Sequence, residues 1–363
     1  VVASVEDLRT LGLQAGLCAV GVCASDPFPE IQATIEARRD QGLHAGMRFT
    51  YRNPARSTDP QRTLPRGQRL IVGAYDYQRQ RPDPPQDQPL GRVAAYSWED
   101  HYATLRTALE EIARPLREEG YQAIVLADQN HLVDRGAAYR AGIGWWGKST
   151  NILVPGVGSL VVLGSVLTDA PIELTDAPQV ADGCSACTKC LDGCPTGAII
   201  APGVIDARRC LAWLVQDEGI FPVEYRTALG DRVYGCDECQ DVCPPNQIRQ
   251  RRPSNAGAAG AWVPLLDLLE ADDSEILDRY GRWYIPKRDP DYLRRNALLA
   301  LANVEQHCVT PRTCAVIETH LRHRSAMVRA HAVWTARAFG LVHLLDIVAD
   351  DTAPDVLVEL ARP

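Results

Sequence analysis

Eight of the twelve cysteines stand in, or between, two runs whose spacing restricts this chain more than any other feature. Cys184, Cys187, Cys190 and Cys194 precede Pro195, giving C-x-x-C-x-x-C-x-x-x-C-P, the bacterial iron–sulfur pattern. Cys236, Cys239 and Cys243 precede Pro244 and repeat the pattern without its first cysteine, and Cys210 between the runs can supply that ligand from a distance. Eight thiolates are what two 4Fe–4S clusters need, so the chain is expected to carry two clusters and to move electrons. In two-cluster ferredoxins the last cysteine of each run crosses to the other cluster. One cluster is therefore expected on Cys184, Cys187, Cys190 and Cys243, the other on Cys194, Cys210, Cys236 and Cys239. Structural zinc also uses C-x-x-C pairs, but four-coordinate sites rarely need two C-x-x-x-C-P endings. A disulfide framework needs an oxidising compartment and a shorter chain. Cys18, Cys23, Cys308 and Cys314 lack the spacing and read as small core residues.

Composition is that of a globular protein. The chain has 363 residues, enough for two or three domains, and is 46% hydrophobic. A formal charge of −8 argues against a uniform coat for nucleic acid but leaves room for a local basic face. No apolar run reaches membrane-spanning length and no signal peptide is visible, so a cytoplasmic protein with no membrane partner is expected. Val1 in place of methionine suggests a trimmed or partial chain.

Three consecutive parts are expected. Residues 1–175 alternate helices and strands, as in an α/β or α+β layered domain. Helices are expected over Ser4–Leu17 (Ser4 as N-cap), His101–Arg117 and Leu132–Ala141, the last stopped by Gly142. Strands are expected over Ala19–Val22, Leu70–Tyr75, Tyr121–Ala127 and Ser159–Leu167, with a polar loop over Gln78–Pro89. Residues 176–250 form the two-cluster part. Residues 261–363 read as all helix, and Arg294–Ala300 echoes Arg329–Thr335 thirty-five residues on, near the period of HEAT-type arrays. Gly281–Ala330 holds nine Arg or Lys against four Asp or Glu. Together with Arg249, Arg251 and Arg252, these residues fit a phosphate-binding face or a solvated helix surface.

No G-x-G-x-x-G follows a strand and no P-loop is present, which sets aside the usual dinucleotide and nucleotide sites. Gly142-Ile143-Gly144-Trp145-Trp146-Gly147-Lys148 is a glycine-rich turn able to approach a large flat cofactor. Asp128 closes a strand. It fits a turn or N-cap aspartate, or an acid whose pKa is raised by desolvation.

The cluster segment Cys184–Ile199, the segment Tyr234–Pro244, the turn Ala141–Trp145 with Lys148, Tyr96–Tyr102 and Arg294–Ala302 together resemble the epoxyqueuosine reductases, nearly end to end. The resemblance implies an α+β fold in three parts. These are a cobalamin-binding domain similar to reductive dehalogenases, a ferredoxin-like domain, and a HEAT-like domain that contacts tRNA. It implies cobalamin as the site of chemistry, fed by the two clusters, and reduction of epoxyqueuosine to queuosine at the tRNA wobble position. The partners implied are a tRNA with a queuosine-type anticodon and an external low-potential electron donor, and a monomer is expected. Asp128 lies at the interval of the family's proton donor before the glycine turn. Arg56, Ile152, Leu163, Tyr234 and Gly235 match positions near the corrin. The chain departs from the family where Asp-Thr-Gly-Pro becomes Asp128-Gln129-Asn130-His131 and Trp-Ile-Gly-Lys-Asn becomes Trp145-Trp146-Gly147-Lys148-Ser149. Both changes border the implied pocket, and His131 is a second potential proton donor. Two other functions fit the motifs: a cobalamin and iron–sulfur reductase of a small molecule, and a two-cluster electron carrier without catalysis. The basic helical region favours the tRNA enzyme over the first, and the large N-terminal region argues against the second.

Overall fold

The computed structural model describes residues 4–85, 88–174, 179–250, 260–304 and 309–362. Arg251, Arg252 and Cys308, and the side chain of Arg249, fall outside the described residues. Packing groups the chain into two compact units, each built from separate segments. One comprises Val1–Gln80, Asp100–Arg208 and Glu238–Asn255; the other comprises Arg81–Glu99, Arg209–Asp237 and Ala256–Pro363. Positions 175, 250 and 261 fall inside these units.

The first unit is built on a four-stranded sheet, in the order Ala19–Ala24, Arg69–Asp76, Val161–Thr168, Ala123–Ala127. Every pairing is antiparallel, which decides for α+β over α/β. The strands are near-continuous apolar runs because both faces are covered. Helix His101–Glu118 lies on one face, burying Leu105, Leu109 and Ile112. Gly73 and Gly164 are register partners in the two central strands. A Cβ on either would stand about 3 Å from the Leu109 side chain, so the glycines admit this helix. The other face carries the core of Leu70, Val72, Leu126, Ala137, Ala138, Ile143, Ile152 and Leu163 beneath helix Asp134–Arg140. The expected N-cap is present: Ser4 and Asp7 form a capping box at the start of helix Val5–Gln14. Gly142 follows helix Asp134–Arg140 at φ +68, where a glycine is unstrained.

The second unit corrects one expectation. Trp262–Pro264 is a strand rather than helix, and it pairs antiparallel with Leu90–Val93, which also pairs in parallel with Arg232–Tyr234. Long-range pairing of a short aromatic and β-branched segment outweighs the helical periodicity that follows it. Beyond it, helices Asp291–Val304, Pro311–Leu321 and Ala326–Ala338 pack on one another, with Ala297, Leu298, Ala332 and Val333 fully buried. The echoing segments therefore form two stacked, inward-facing helices, as a helical repeat requires. Among the described residues no helix is long and apolar enough to cross a membrane.

Candidate functional site

Cys184, Cys187, Cys190 and Cys243 line one pocket of the first unit, together with Gly147, Lys148, Leu153 and Pro244. The short helices Lys189–Asp192 and Glu238–Asp241 present the two cysteine runs to each other. Burial raises the Cys243 thiol to about 11, and the neighbouring Cys184, Cys190 and Cys187 thiolates push it the same way. Burial and the same neighbours also raise Cys190. The burial and crowding felt at Cys190 and Cys243 suit a cationic group placed among the thiols, which inverts that repulsion. Four thiols lining one pocket match the ligand number of one 4Fe–4S cluster.

The Lys148 ammonium, on the glycine-rich turn, donates to the backbone carbonyls of Ser185 at 2.6 Å and Cys187 at 2.9 Å. A positive charge is thereby fixed on the loop that carries the thiols. The resemblance includes this lysine but supplies no role for it; no spacing rule marks it. Asn246, three residues past Cys243, is fully buried. It donates to Ser159 Oγ and to the Gln240 carbonyl and accepts from the Ser159 amide, tying the Cys243 helix to the sheet.

Of the other four cysteines, Cys194 and Cys239 belong to the first unit and Cys210 and Cys236 to the second. Burial acts to raise Cys194, but hydrogen bonds from the Thr196, Ala198 and Ile199 amides and the Thr196 hydroxyl outweigh it and hold the thiol below its ordinary value. Cys210 occupies the N-cap position of helix Leu211–Leu214, and Cys236 packs against the apolar cluster that includes Leu211, Leu214 and Phe221.

Asp128 follows strand Ala123–Ala127 at φ +56, a left-handed conformation that aspartate tolerates better than most residues. Its residue surface is open to solvent, while protein packed about the carboxyl withdraws water and raises its pKa against the lowering pull of Arg106. Asp134, first residue of the next helix, accepts a hydrogen bond from the Asp128 backbone amide. Burial raises the Asp134 carboxyl well above the ordinary range, and the Asp128 charge adds to the shift. Sequence reasoning passed over Asp134, since an acid at a helix start is commonplace. The departing residue Asn130 holds the Asp128 loop to the segment before it. Its side chain accepts from the Thr50 amide at 2.7 Å, and its carbonyl accepts from Ser57 Oγ at 2.9 Å.

The remaining expected cofactor residues are dispersed. Ile152 and Leu163 are buried in the sheet core, where packing accounts for them. Arg56 is half-buried, and its guanidinium has no hydrogen bond or ion pair among the described residues. Tyr234 and Gly235 belong to the second unit, where the Tyr234 ring stacks on Trp283 at 4.6 Å and Gly235 adopts φ +71 against Ala94 and Tyr96.

The nine basic residues of Gly281–Ala330 are engaged within their own unit. Lys287, Arg294, Arg312, Arg322, Arg324 and Arg329 pair with carboxylates. Arg282, Arg288 and Arg295 donate to backbone carbonyls. Arg295 is almost fully buried, and desolvation lowers it to about 10. The charge excess legible in sequence is thus met by carboxylates and carbonyls of the same unit, with Lys287, Arg312, Arg322 and Arg324 still exposed.

Residues 183–246 match the family model described as a 4Fe-4S double cluster binding domain. An epoxyqueuosine reductase of Bacillus cereus is 32% identical over 344 residues, covering 92% of this chain and 89% of that protein. One of Xanthomonas campestris is 32% identical over 347 residues, covering 92% and 96%. Among solved structures, an epoxyqueuosine reductase with a tRNA-Tyr epoxyqueuosine-modified stem loop superposes with a TM-score of 0.88 at 27% identity, over 98% of this chain and 96% of that one.

Proposed function

The chain belongs to the epoxyqueuosine reductase family, and from that premise we propose that it reduces epoxyqueuosine to queuosine in the wobble position of tRNA, using cobalamin and two 4Fe–4S clusters. The observation that carries this reading is the four-thiol pocket of Cys184, Cys187, Cys190 and Cys243 in a chain that matches the reductases over nearly its whole length. It favours the tRNA enzyme over a small-molecule reductase or a simple carrier.

Removing the epoxide oxygen as water takes two electrons and two protons. The pocket thiolates would hold one cluster, and the ferredoxin spacing assigns Cys194, Cys210, Cys236 and Cys239 to the other. Cobalamin, when bound, supplies a low-valent cobalt able to engage the epoxide. Donors suited to its amide groups exist: the Trp145 indole N–H is buried without a partner, and the Arg56 guanidinium is uncommitted among the described residues. Ile152, Leu163, Tyr234 and Gly235 are the remaining proposed contacts. Asp128 is the proposed acid. Withdrawal of water from its carboxyl favours the protonated form, which can donate to the departing oxygen. Asp134 holds the Asp128 backbone, and Lys148 sets the field at the nearer cluster. A cytoplasmic monomer supplied by an external low-potential donor completes the reading.

The test is anaerobic turnover. Cluster-reconstituted protein with cobalamin and a low-potential reductant is given tRNA bearing epoxyqueuosine, and the nucleosides are read by mass spectrometry. Loss of one oxygen mass is expected. Intact clusters and bound cobalamin without conversion would assign the protein another substrate.

A further inference from the structure

Among the described residues the basic side chains of Gly281–Ala330 all have partners within their unit, and unpartnered cations stand elsewhere. The first unit has them beside Asp128. Arg48, Arg52, Arg56 and Arg135 have no ion pair and no side-chain hydrogen bond among the described residues, and all but the half-buried Arg56 are exposed. Several other arginines of that unit are committed: Arg62 to Asp59, Arg117 to Glu110, Arg140 to the carbonyls of Asp26 and Pro27.

These four are held together by structure rather than by sequence. Arg48 and Arg52 sit one turn apart, joined by a 2.9 Å backbone hydrogen bond. The intervening Thr50, at φ +63, donates to Asn130 in the Asp128 loop. Arg56 lies in the short helix Pro54–Ser57, and the Ser57 carbonyl accepts from the Val133 amide just ahead of Arg135. Tyr51 lies within the electrostatic reach of Arg135. Phe49, between the arginines, is 43% exposed, a large ring left in water beside uncompensated charge. Cations flanking an exposed aromatic ring are what a single-stranded RNA loop engages: phosphates at the guanidinium groups and a base on the ring.

We infer that Arg48, Phe49 and Arg52, with Arg135, form an RNA-docking element that seats the anticodon loop over Asp128, with Arg56 left to the cofactor. This rests on the tRNA reading above and gives that reading its contact surface. The Asn130 clamp couples the docking element to the proposed acid's loop, at a position where the chain departs from the family pattern.

The test uses the holoenzyme and an unmodified tRNA-Tyr anticodon stem–loop RNA, with affinity followed by fluorescence anisotropy against salt. The triple variant Arg48→Ala, Arg52→Ala, Arg135→Ala is expected to lose about 0.7 in the slope of log affinity against log salt for each arginine in phosphate contact. The matching lysine triple is expected to retain the slope, as is Arg322→Ala, Arg324→Ala in the second unit. Phe49→Ala is expected to weaken binding with the slope unchanged. A correctly folded alanine triple with the wild-type slope would overturn the docking assignment while leaving the tRNA reading intact. Absence of salt-dependent RNA binding by the wild-type holoenzyme would overturn both.

Discussion

The Asp134 carboxyl accepts a hydrogen bond from the backbone amide of Asp128, so the proposed acid is held in its left-handed turn by a second acid. Two carboxyls in one partly dry space cannot both ionise easily, and burial raises both. A group whose folded pKa is raised binds more protons when folded than when unfolded. Its contribution is therefore full below the ordinary carboxyl pKa and is lost as pH rises through the folded value. Asp134→Asn keeps an acceptor for the Asp128 amide and removes this loss. Thermal unfolding followed from about pH 4 to 8 should show the variant more stable than wild type at the upper end, with a stability curve shallower by up to ~1.4 kcal/mol per pH unit. A variant less stable at neutral pH would contradict the shift.

Lys148 should tune the nearer cluster. Its ammonium is anchored to the Ser185 and Cys187 carbonyls, and a nearby positive charge favours the reduced, more negative cluster. Lys148→Met should move that cluster's reduction potential downward by on the order of tens of millivolts, and Lys148→Arg should leave it near wild type. Redox titration followed by electron paramagnetic resonance separates this from a folding defect. An unchanged potential in a fully loaded Lys148→Met protein would remove the lysine from the account.

In the second unit Arg226 is fully buried and pairs with the buried Glu359 at 2.6 Å. Glu359→Ala strands the guanidinium in an apolar surround and should destabilise the fold by about 3–5 kcal/mol, visible in chemical denaturation. The Glu359→Gln variant should lose less, because its amide oxygen still accepts. Equal losses in the two variants would show that the charge alone matters.

The fold was legible where local chemistry and burial agree. Ser4 capped its helix, the strand at Leu70–Tyr75 was recovered within one residue at each end, and the spacing of Cys184, Cys187 and Cys190 anticipated their meeting with Cys243. It was not legible where long-range pairing decides. Nothing local marks Trp262–Pro264 as a strand, since its partner lies at Leu90–Val93. Charge counts were incomplete for a related reason: the local count registers Arg294 and Arg312 but not Asp273, Asp267 and Glu270, which meet them only in the folded chain. Asp134 and Asn130 were missed as partners of the Asp128 loop because a first-turn acid and a loop asparagine are ordinary in sequence.

The central claim is that Asp128 delivers a proton during epoxide reduction in this chain. The direct measurement compares wild type with Asp128→Asn in anaerobic single turnover of epoxyqueuosine-bearing tRNA. Cobalamin occupancy is read from its absorption and cluster content from iron analysis in both proteins. With occupancy and clusters equal, the account predicts a rate about 10²- to 10⁴-fold lower in the variant. Asp128→Asn turning over at the wild-type rate would contradict it and return Asp128 to the role of a turn residue.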